Sequence, residues 1–395
     1  MTQILAGRIQ YPHADGVLFG PGCAREQLHE LLNGLGAKRP FLLTTPSLTR
    51  TDLLPEVRDA IGSSLVGEFT ESREHTPQEV VLQAARMARE AQADALISFG
   101  GSSVVDLTKG VALVLAEGED LSQVRVHFAP DTGLQLPDLP APKVPHIALP
   151  TTLSGAEFTG AIGITDMSRG EKVLYLDAKL TPRWVVLDPE LARATPANLW
   201  AATGMKIFAD GLEALCSTRA TPYTDALAQS ALSILYQELP GAVANANDAA
   251  ARGRCLFAAF MLLPNLLNVG LGVVAGLRHQ IGGGFGVPHG VASTIVLPHV
   301  LRWNLPAATP QLAQTARSLG LEAGSDEEAA ALNTISAVDE MIKALELPQR
   351  LRDVDVPQEA LAGIAEHTAH DFVVATNPRP VQNSSELLEV LQAAW

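Results

Sequence analysis

The chain has 395 residues, of which 47% are hydrophobic, 18% charged and 5% aromatic. That balance excludes a disordered, coiled-coil or collagen-like chain and is enough for two domains with sizeable cores. The net charge of −15 would repel a phosphate backbone, which argues against nucleic acid as a partner.

Cys23, Cys216 and Cys255 are far apart and form no CxxC pair, which points to a reducing compartment. The first residues show no basic segment followed by an apolar one, so no secretory signal is read there. The apolar stretch Phe257 to Leu267 is interrupted by Pro264 and Asn265 and is expected to fall short of a membrane span. The expectation is a cytoplasmic protein with no membrane partner and a small-molecule substrate.

In chain order, Pro40 to Thr44 reads as a strand. Pro77 to Ala93 reads as a helix with Thr76 as its cap, and Ala95 to Phe99 as the next strand. Asp106 to Glu117 is helical, His146 to Leu149 is a strand ending at Pro150, and Trp184 to Leu187 is another strand. Strand alternating with helix predicts a parallel sheet covered by helices. Beyond Asp188-Pro189-Glu190 the texture becomes Ala-rich and Leu-rich with helical spacing. The fold class is therefore an N-terminal Rossmann-like α/β domain, residues 1–190, and an all-α C-terminal domain, 191–395. The active site is expected in the cleft between them.

Three blocks can carry chemistry. Gly100-Gly101-Ser102 follows a strand and opens a helix that carries Asp106 and Lys109. Glycines there let a phosphate approach the backbone, and the free N–H groups of a helix start favour an anion. Alone, the block reads equally well as an ordinary strand-to-helix turn. Thr151-Thr152-Leu153-Ser154-Gly155 also follows a strand, where open α/β sheets bind ligands; the plainer reading is a hydroxyl-capped turn. In the helical half, His279 and His289 flank a glycine run that reads as a turn, with His299 in a Leu-Pro-His turn further on. A lone histidine is usually structural, but two around a Gly-rich turn favour a cavity.

Together these blocks resemble the iron-containing alcohol dehydrogenase superfamily, which has the dehydroquinate-synthase-like fold. The resemblance runs nearly end to end and includes Leu18-Phe19-Gly20-Pro21-Gly22, Asp188-Pro189-Glu190, Pro288-His289-Gly290, Leu297-Pro298-His299 and Thr376-Asn377-Pro378-Arg379-Pro380. The short Thr-Thr loop and the NPRP are most similar to the maleylacetate reductase branch. The resemblance implies a nicotinamide dinucleotide on the first half. Gly100, Gly101, Ser102 and Asp106 would lie at its pyrophosphate end, with Thr151 and Thr152 flanking the adenine side. It also implies a homodimer, and it sets His279 close to the nicotinamide, where the histidine could relay a proton or position substrate. The strand 41–43 is followed by Thr44-Thr45-Pro46, with no acid to reject a 2′-phosphate. NADPH is therefore expected to be accepted at least as well as NADH, with Thr45 beside the ribose.

The family's metal site has an Asp and a His at i and i+4 on the first helix of the helical domain, then two His fourteen residues apart. Aligned on Gly204 and Glu213, those positions are Lys206, Asp210, Ala275 and His289. One of four ligands survives, and a lysine stands where a cation would bind. No catalytic metal is expected. Lys206 and Asp210 share a helix face and can pair, which favours the charged lysine. The ammonium could then stabilise an oxyanion in the metal's place; alternatively the two form only a structural ion pair.

The leading expectation is a metal-independent NAD(P)H-dependent reductase or dehydrogenase acting on a carbonyl or activated C=C, maleylacetate-like or other. Lys206, Asp210, His279 and His289 are its candidate catalytic residues. Two alternatives stay open: non-redox chemistry through Lys206 as base or amine nucleophile (a lyase, cyclase or imine-forming step), and a degenerate dinucleotide-binding homologue.

Overall fold

A computed structural model describes residues 9–11, 14–129, 133–167 and 171–395. The chain divides into two compact units. One comprises Pro12–Pro196 and Asn245–Phe257; the other comprises Ala197–Ala244 and Ala258–Trp395, together with residues 9–11. The expected single boundary near residue 190 thus lies close to the first crossing at 196. The return of 245–257 to the sheet unit has no compositional signature. It is held there by the buried Arg252, which donates to the carbonyls of Ala192 and Thr195.

Among the described residues, the sheet unit carries ten strands: β1 (Gly16–Phe19), β2 (Pro40–Leu43), β3 (Gly67–Phe69), β4 (Ala95–Gly100), β5 (His127–Ala129), β6 (Gly133–Gln135), β7 (His146–Pro150), β8 (Ala161–Asp166), β9 (Glu171–Leu176) and β10 (Trp184–Leu187). Six form a wholly parallel sheet in the order β1-β10-β7-β4-β2-β3. Every residue of β2, β4 and β7 is buried, as expected of parallel strands covered on both faces. On one face α3 (Gln78–Glu90) and α4 (Ser102–Glu117) pack Val81, Ala84, Leu107 and Val111 against Phe41, Leu43 and Leu96. On the other, α1 (Cys23–Gly34) and α2 (Leu53–Ile61) pack Leu28, Leu32, Val57 and Ile61 against Leu42, Ile97 and Ile147. β5–β6 and β8–β9 are antiparallel hairpins outside the sheet.

The remaining helices are α5 (Ala197–Cys216), α6 (Pro222–Ala244), α7 (Ala249–Leu262), α8 (Leu266–Val269), α9 (Val273–Phe285), α10 (His289–Leu319), α11 (Glu327–Ala344), α12 (Leu361–Ala369) and α13 (Ser384–Ala394). In the helical unit α5 packs against α6 and α10, α9 against α10 and α12, and α10 against α11. Every residue of α5 from Ile207 to Cys216 is buried. A helix covered on all sides is normally apolar all round, so Asp210 and Glu213 in this stretch must find polar partners.

Several local expectations are corrected. Thr76 does not cap α3. Its φ is +48°, its carbonyl accepts the Thr165 N–H, and the cap position is Pro77. α4 begins four residues before Asp106, at Ser102. The glycine run is not a turn: Gly282 to Gly284 are the last turn of α9, which ends at Gly286 with φ +68°. A Cβ on Gly282 would stand 2.9 Å from the His289 ring, so the glycine makes room for that imidazole. His299 lies inside α10 rather than in a turn. Finally, Ala249–Val269 is, by length and composition, apolar enough to cross a membrane. Just over half of its most apolar window is buried, and Arg252 within it is wholly buried, as in the core helix of a globular protein.

Candidate active site

In the sheet unit, β2, β4 and β7 are adjacent, so the segments leaving their C-terminal ends lie side by side at the edge where open α/β sheets take ligands. Gly100 adopts φ +153°, a conformation side chains avoid, and a Cβ there would meet Val104 Cγ2 at 2.6 Å. A Cβ on Gly101 would meet Thr152 Cγ2 at 3.0 Å. The Thr151 N–H donates to the Gly100 carbonyl at 3.0 Å, and the Thr195 hydroxyl donates to the Thr151 carbonyl at 2.6 Å. The two predicted loops are thus one structure. No side chain caps α4, whose first-turn N–H groups emerge beside bare glycine backbone. These features fit the pyrophosphate of a dinucleotide. Thr45 follows β2, while the neighbouring Thr44 is buried with its hydroxyl donating to the Phe99 carbonyl at 2.8 Å.

Asp106, one turn into α4, pairs with Lys109 at 3.3 Å. Burial pushes the Asp106 carboxyl upward against the pull of Lys109, and burial likewise pushes the Lys109 ammonium downward. Lys109 also donates to the carbonyls of Ala156 at 2.6 Å and Ala161 at 2.9 Å. It fastens α4 to the chain beyond the Thr-Thr loop.

In the helical unit, Lys206 and Asp210 pair across one turn of α5 at 2.7 Å, as expected. The structure adds Arg278 of α9, which donates to the other Asp210 oxygen and reaches Ser293 at 3.4 Å. Arg278 lies three residues after Ala275 and so shares its helix face. Burial works to raise the Asp210 carboxyl, but Arg278 and then Lys206 outweigh it and hold it below the usual carboxylate range. Glu213 caps α9 from α5, accepting the N–H groups of Val274 at 2.7 Å and Ala275 at 3.2 Å. Gly272 permits this, since a Cβ there would stand 2.8 Å from Glu213 Oε1. Burial pushes Glu213 up to about 7. The rings of His279 and His289 are 5.9 Å apart.

Can this set hold the divalent metal that the resemblance implies? Asp210 is engaged by two cations. An ion sharing it would lie roughly 4 Å from each, a repulsion of about 8 kcal/mol per cation at an effective dielectric of about 20. Among the described residues, no three His, Cys, Asp or Glu side chains converge as a metal would need. The residues present do not fit the group.

Arg278, Glu213 and Asp371, which bonds to His279, were not singled out from the sequence as site residues. A usable signal existed for Arg278: an arginine in an otherwise apolar helical stretch, on the face of Ala275, requires a buried carboxylate.

Comparison with known proteins agrees with this architecture. The profile of the iron-containing alcohol dehydrogenase matches residues 14–189, and that of the Fe-containing alcohol dehydrogenase family, C-terminal, matches 200–395. The NAD-dependent methanol dehydrogenase of Bacillus methanolicus is 32% identical over 94% of this chain and 97% of its own. Maleylacetate reductase 1 of Cupriavidus pinatubonensis is 29% identical over 95% and 93%. The crystal structure of a 1,3-propanediol oxidoreductase superposes with a TM-score of 0.90 at 28% identity, covering 98% of this chain and 100% of that one.

Proposed function

The chain belongs to the iron-containing alcohol dehydrogenase family, whose members are nicotinamide-dependent oxidoreductases, and we propose that it is a member in which protein cations replace the metal. Its reaction is the NAD(P)H-linked reduction, or the reverse oxidation, of a small molecule bearing a carbonyl or an activated C=C. A maleylacetate-like dicarboxylate is one such substrate, supported by the likeness to maleylacetate reductases.

The observation that carries this reading is the Lys206–Asp210–Arg278 cluster. Asp210 is fully buried and Arg278 is 5% exposed, but Lys206 keeps 16% of its side chain accessible while paired. It is the one cation of the three-residue cluster that can reach a ligand. Arg278 holds the carboxylate, the carboxylate fixes the lysine, and the ammonium offers donors to the oxygen on which negative charge develops.

A bound nicotinamide would supply or accept the hydride. Gly100, Gly101 and Ser102 would hold its pyrophosphate, with Thr151 and Thr152 on the adenine side and Thr45 at the ribose. Thr44 spends its hydroxyl on Phe99, and Thr45-Pro46 that follow carry no acid, which supports use of NADPH at least as well as NADH. His279 exchanges the proton at the substrate oxygen, and its neighbour His289 lines the same face.

Lys206→Ala and Lys206→Met test the reading. Loss of one transition-state donor of this kind costs roughly 10²–10³ in rate, and the uncharged but similarly long methionine should be as damaging as alanine. Wild-type turnover in either folded variant would reduce Lys206 to a structural role.

A further inference from the structure

His279 lies on α9 with 38% of its side chain exposed, and its Nδ1 is 3.2 Å from Asp371 Oδ2. Asp371 precedes a short 3₁₀ turn at Phe372–Thr376. Its other oxygen accepts the Val373 N–H at 3.0 Å, so the backbone of that turn holds the carboxylate in place. Asp371 is mostly buried and carries an ionised carboxylate. Burial favours the neutral acid, but the bonds from His279 and the Val373 N–H outweigh that and hold the group below the usual carboxylate range.

An ionised carboxylate can only accept, so Nδ1 must carry the proton. The imidazole is then fixed as the Nδ1–H tautomer, and Nε2 is left as a lone pair. Among the described residues Nε2 has no protein hydrogen-bond partner. The ring therefore presents one basic nitrogen, on the edge away from Asp371, ready to take or return a proton.

We infer that Asp371 is the positioning residue for His279: it fixes the tautomer and aim of the imidazole so that Nε2 exchanges the proton of the substrate oxygen. This rests on the reading of His279 given above. In the reductive direction Nε2–H gives its proton to the oxygen as the carbon gains hydride from NAD(P)H. The neutral, Asp371-bonded ring that results is reprotonated from solvent. In the oxidative direction the same nitrogen takes the hydroxyl proton.

Four variants and one spectrum test this. The kinetic probe is whichever of propanal and maleylacetate the wild-type protein reduces faster with NADPH. His279→Ala should lower kcat about 10²-fold or more. Asp371→Asn presents an amide that can donate to Nδ1 and force the wrong tautomer; it should lower kcat about 10- to 100-fold with KM within about twofold, and Asp371→Glu should recover most of the loss. In the His279→Ala background Asp371→Asn should cost nothing further, because Asp371 acts through the imidazole. Wild-type kcat in His279→Ala overturns the proton-relay reading and this inference with it. A damaging His279→Ala with a harmless Asp371→Asn, or with full additivity in the double variant, overturns the inference alone. The spectrum needs no turnover: ¹⁵N shifts of His279 in the cofactor-free protein should show Nδ1 protonated at neutral pH and a mixed or reversed tautomer in Asp371→Asn. A wild-type ring protonated mainly at Nε2 also overturns it.

Discussion

Lys109 and Lys206 each sit on a helix beside a carboxylate, one in each unit, and their surroundings differ in every other respect. Lys109 is 0% exposed and satisfies its three donors internally, with two backbone carbonyls and Asp106. The Asp106–Lys109 attraction does not overcome burial: the carboxyl is pushed up and the ammonium down. Lys206 remains partly accessible, and its carboxylate is held by a second cation, Arg278. A lysine whose donors are consumed by main-chain acceptors positions a loop. A lysine whose counter-ion is shared, and which stays partly accessible, can present its charge to a ligand. On the proposed reading of Lys206, that contrast separates a scaffold from a reacting group more sharply than proximity to a motif does.

The largest effect expected from this contrast is on stability. Lys109→Met removes the partner of two buried carbonyls and of Asp106 at once. Breaking a buried ionic cluster from one side typically costs about 3–5 kcal/mol, and denaturant titration should read a loss of that size. Lys206→Met should shift the same midpoint by no more than about 1 kcal/mol, because Asp210 keeps Arg278, while turnover falls as described above. Equal destabilisation by the two variants would erase the distinction between them.

The next effect concerns pH and the sheet unit alone. His146 on β7 is buried, with Nε2 2.7 Å from the Ser98 hydroxyl. Burial, and then the Lys109 charge, push its pKa down to about 3 from an ordinary value of 6.5. As pH falls below 6.5 the unfolded chain takes up the proton before the folded one does. The contribution is therefore complete above pH 6.5 and is lost progressively toward pH 3. At pH 5 the loss is about 2 kcal/mol. Unfolding free energies at pH 7.5 and pH 5 should differ by that much more in the wild-type protein than in His146→Gln. An unchanged difference in the variant would mean that the acid sensitivity lies elsewhere.

How much of this was legible in the sequence follows from distance along the chain. Gly100-Gly101-Ser102 and Thr151-Thr152 are contiguous motifs at strand ends, and the structure joins them as one surface through Gly101 and Thr152. Lys206 and Asp210 are one helical turn apart, so their pairing was readable from spacing, while their place in the site came from the family resemblance. Arg278 lies 68 residues from Asp210, and Asp371 lies 92 from His279; no periodicity links such pairs, and only packing of α9 against its neighbours brings them together. The glycine run misled because glycine ordinarily breaks helices, whereas here Gly282 provides the space that the His289 ring occupies. Thr76 misled because a hydroxyl before a helical stretch resembles a cap, and Pro77 took that position instead.

The smallest expected effect is also the one that bears most directly on how the two lysines differ. If Lys206 and Arg278 supply the positive charge at Asp210, a divalent ion has neither ligands nor charge balance there. The donors left at the family's four positions are Asp210, already paired twice, and His289. A site needs three or four deprotonated donors to retain Zn²⁺ or Fe²⁺ against a chelator. Prolonged dialysis against EDTA should leave turnover and melting temperature unchanged, and elemental analysis should find no stoichiometric iron or zinc. Lys206→Asp with Ala275→His restores the family's residues at two positions but leaves Asp210 where a histidine belongs and Arg278 beside it. It should bind metal poorly until Arg278→Ala and Asp210→His are added. Stoichiometric metal in the unaltered protein, with activity lost on its removal, would show that Arg278 and Lys206 swing away from Asp210 and that the cation cluster is a resting arrangement rather than the working one.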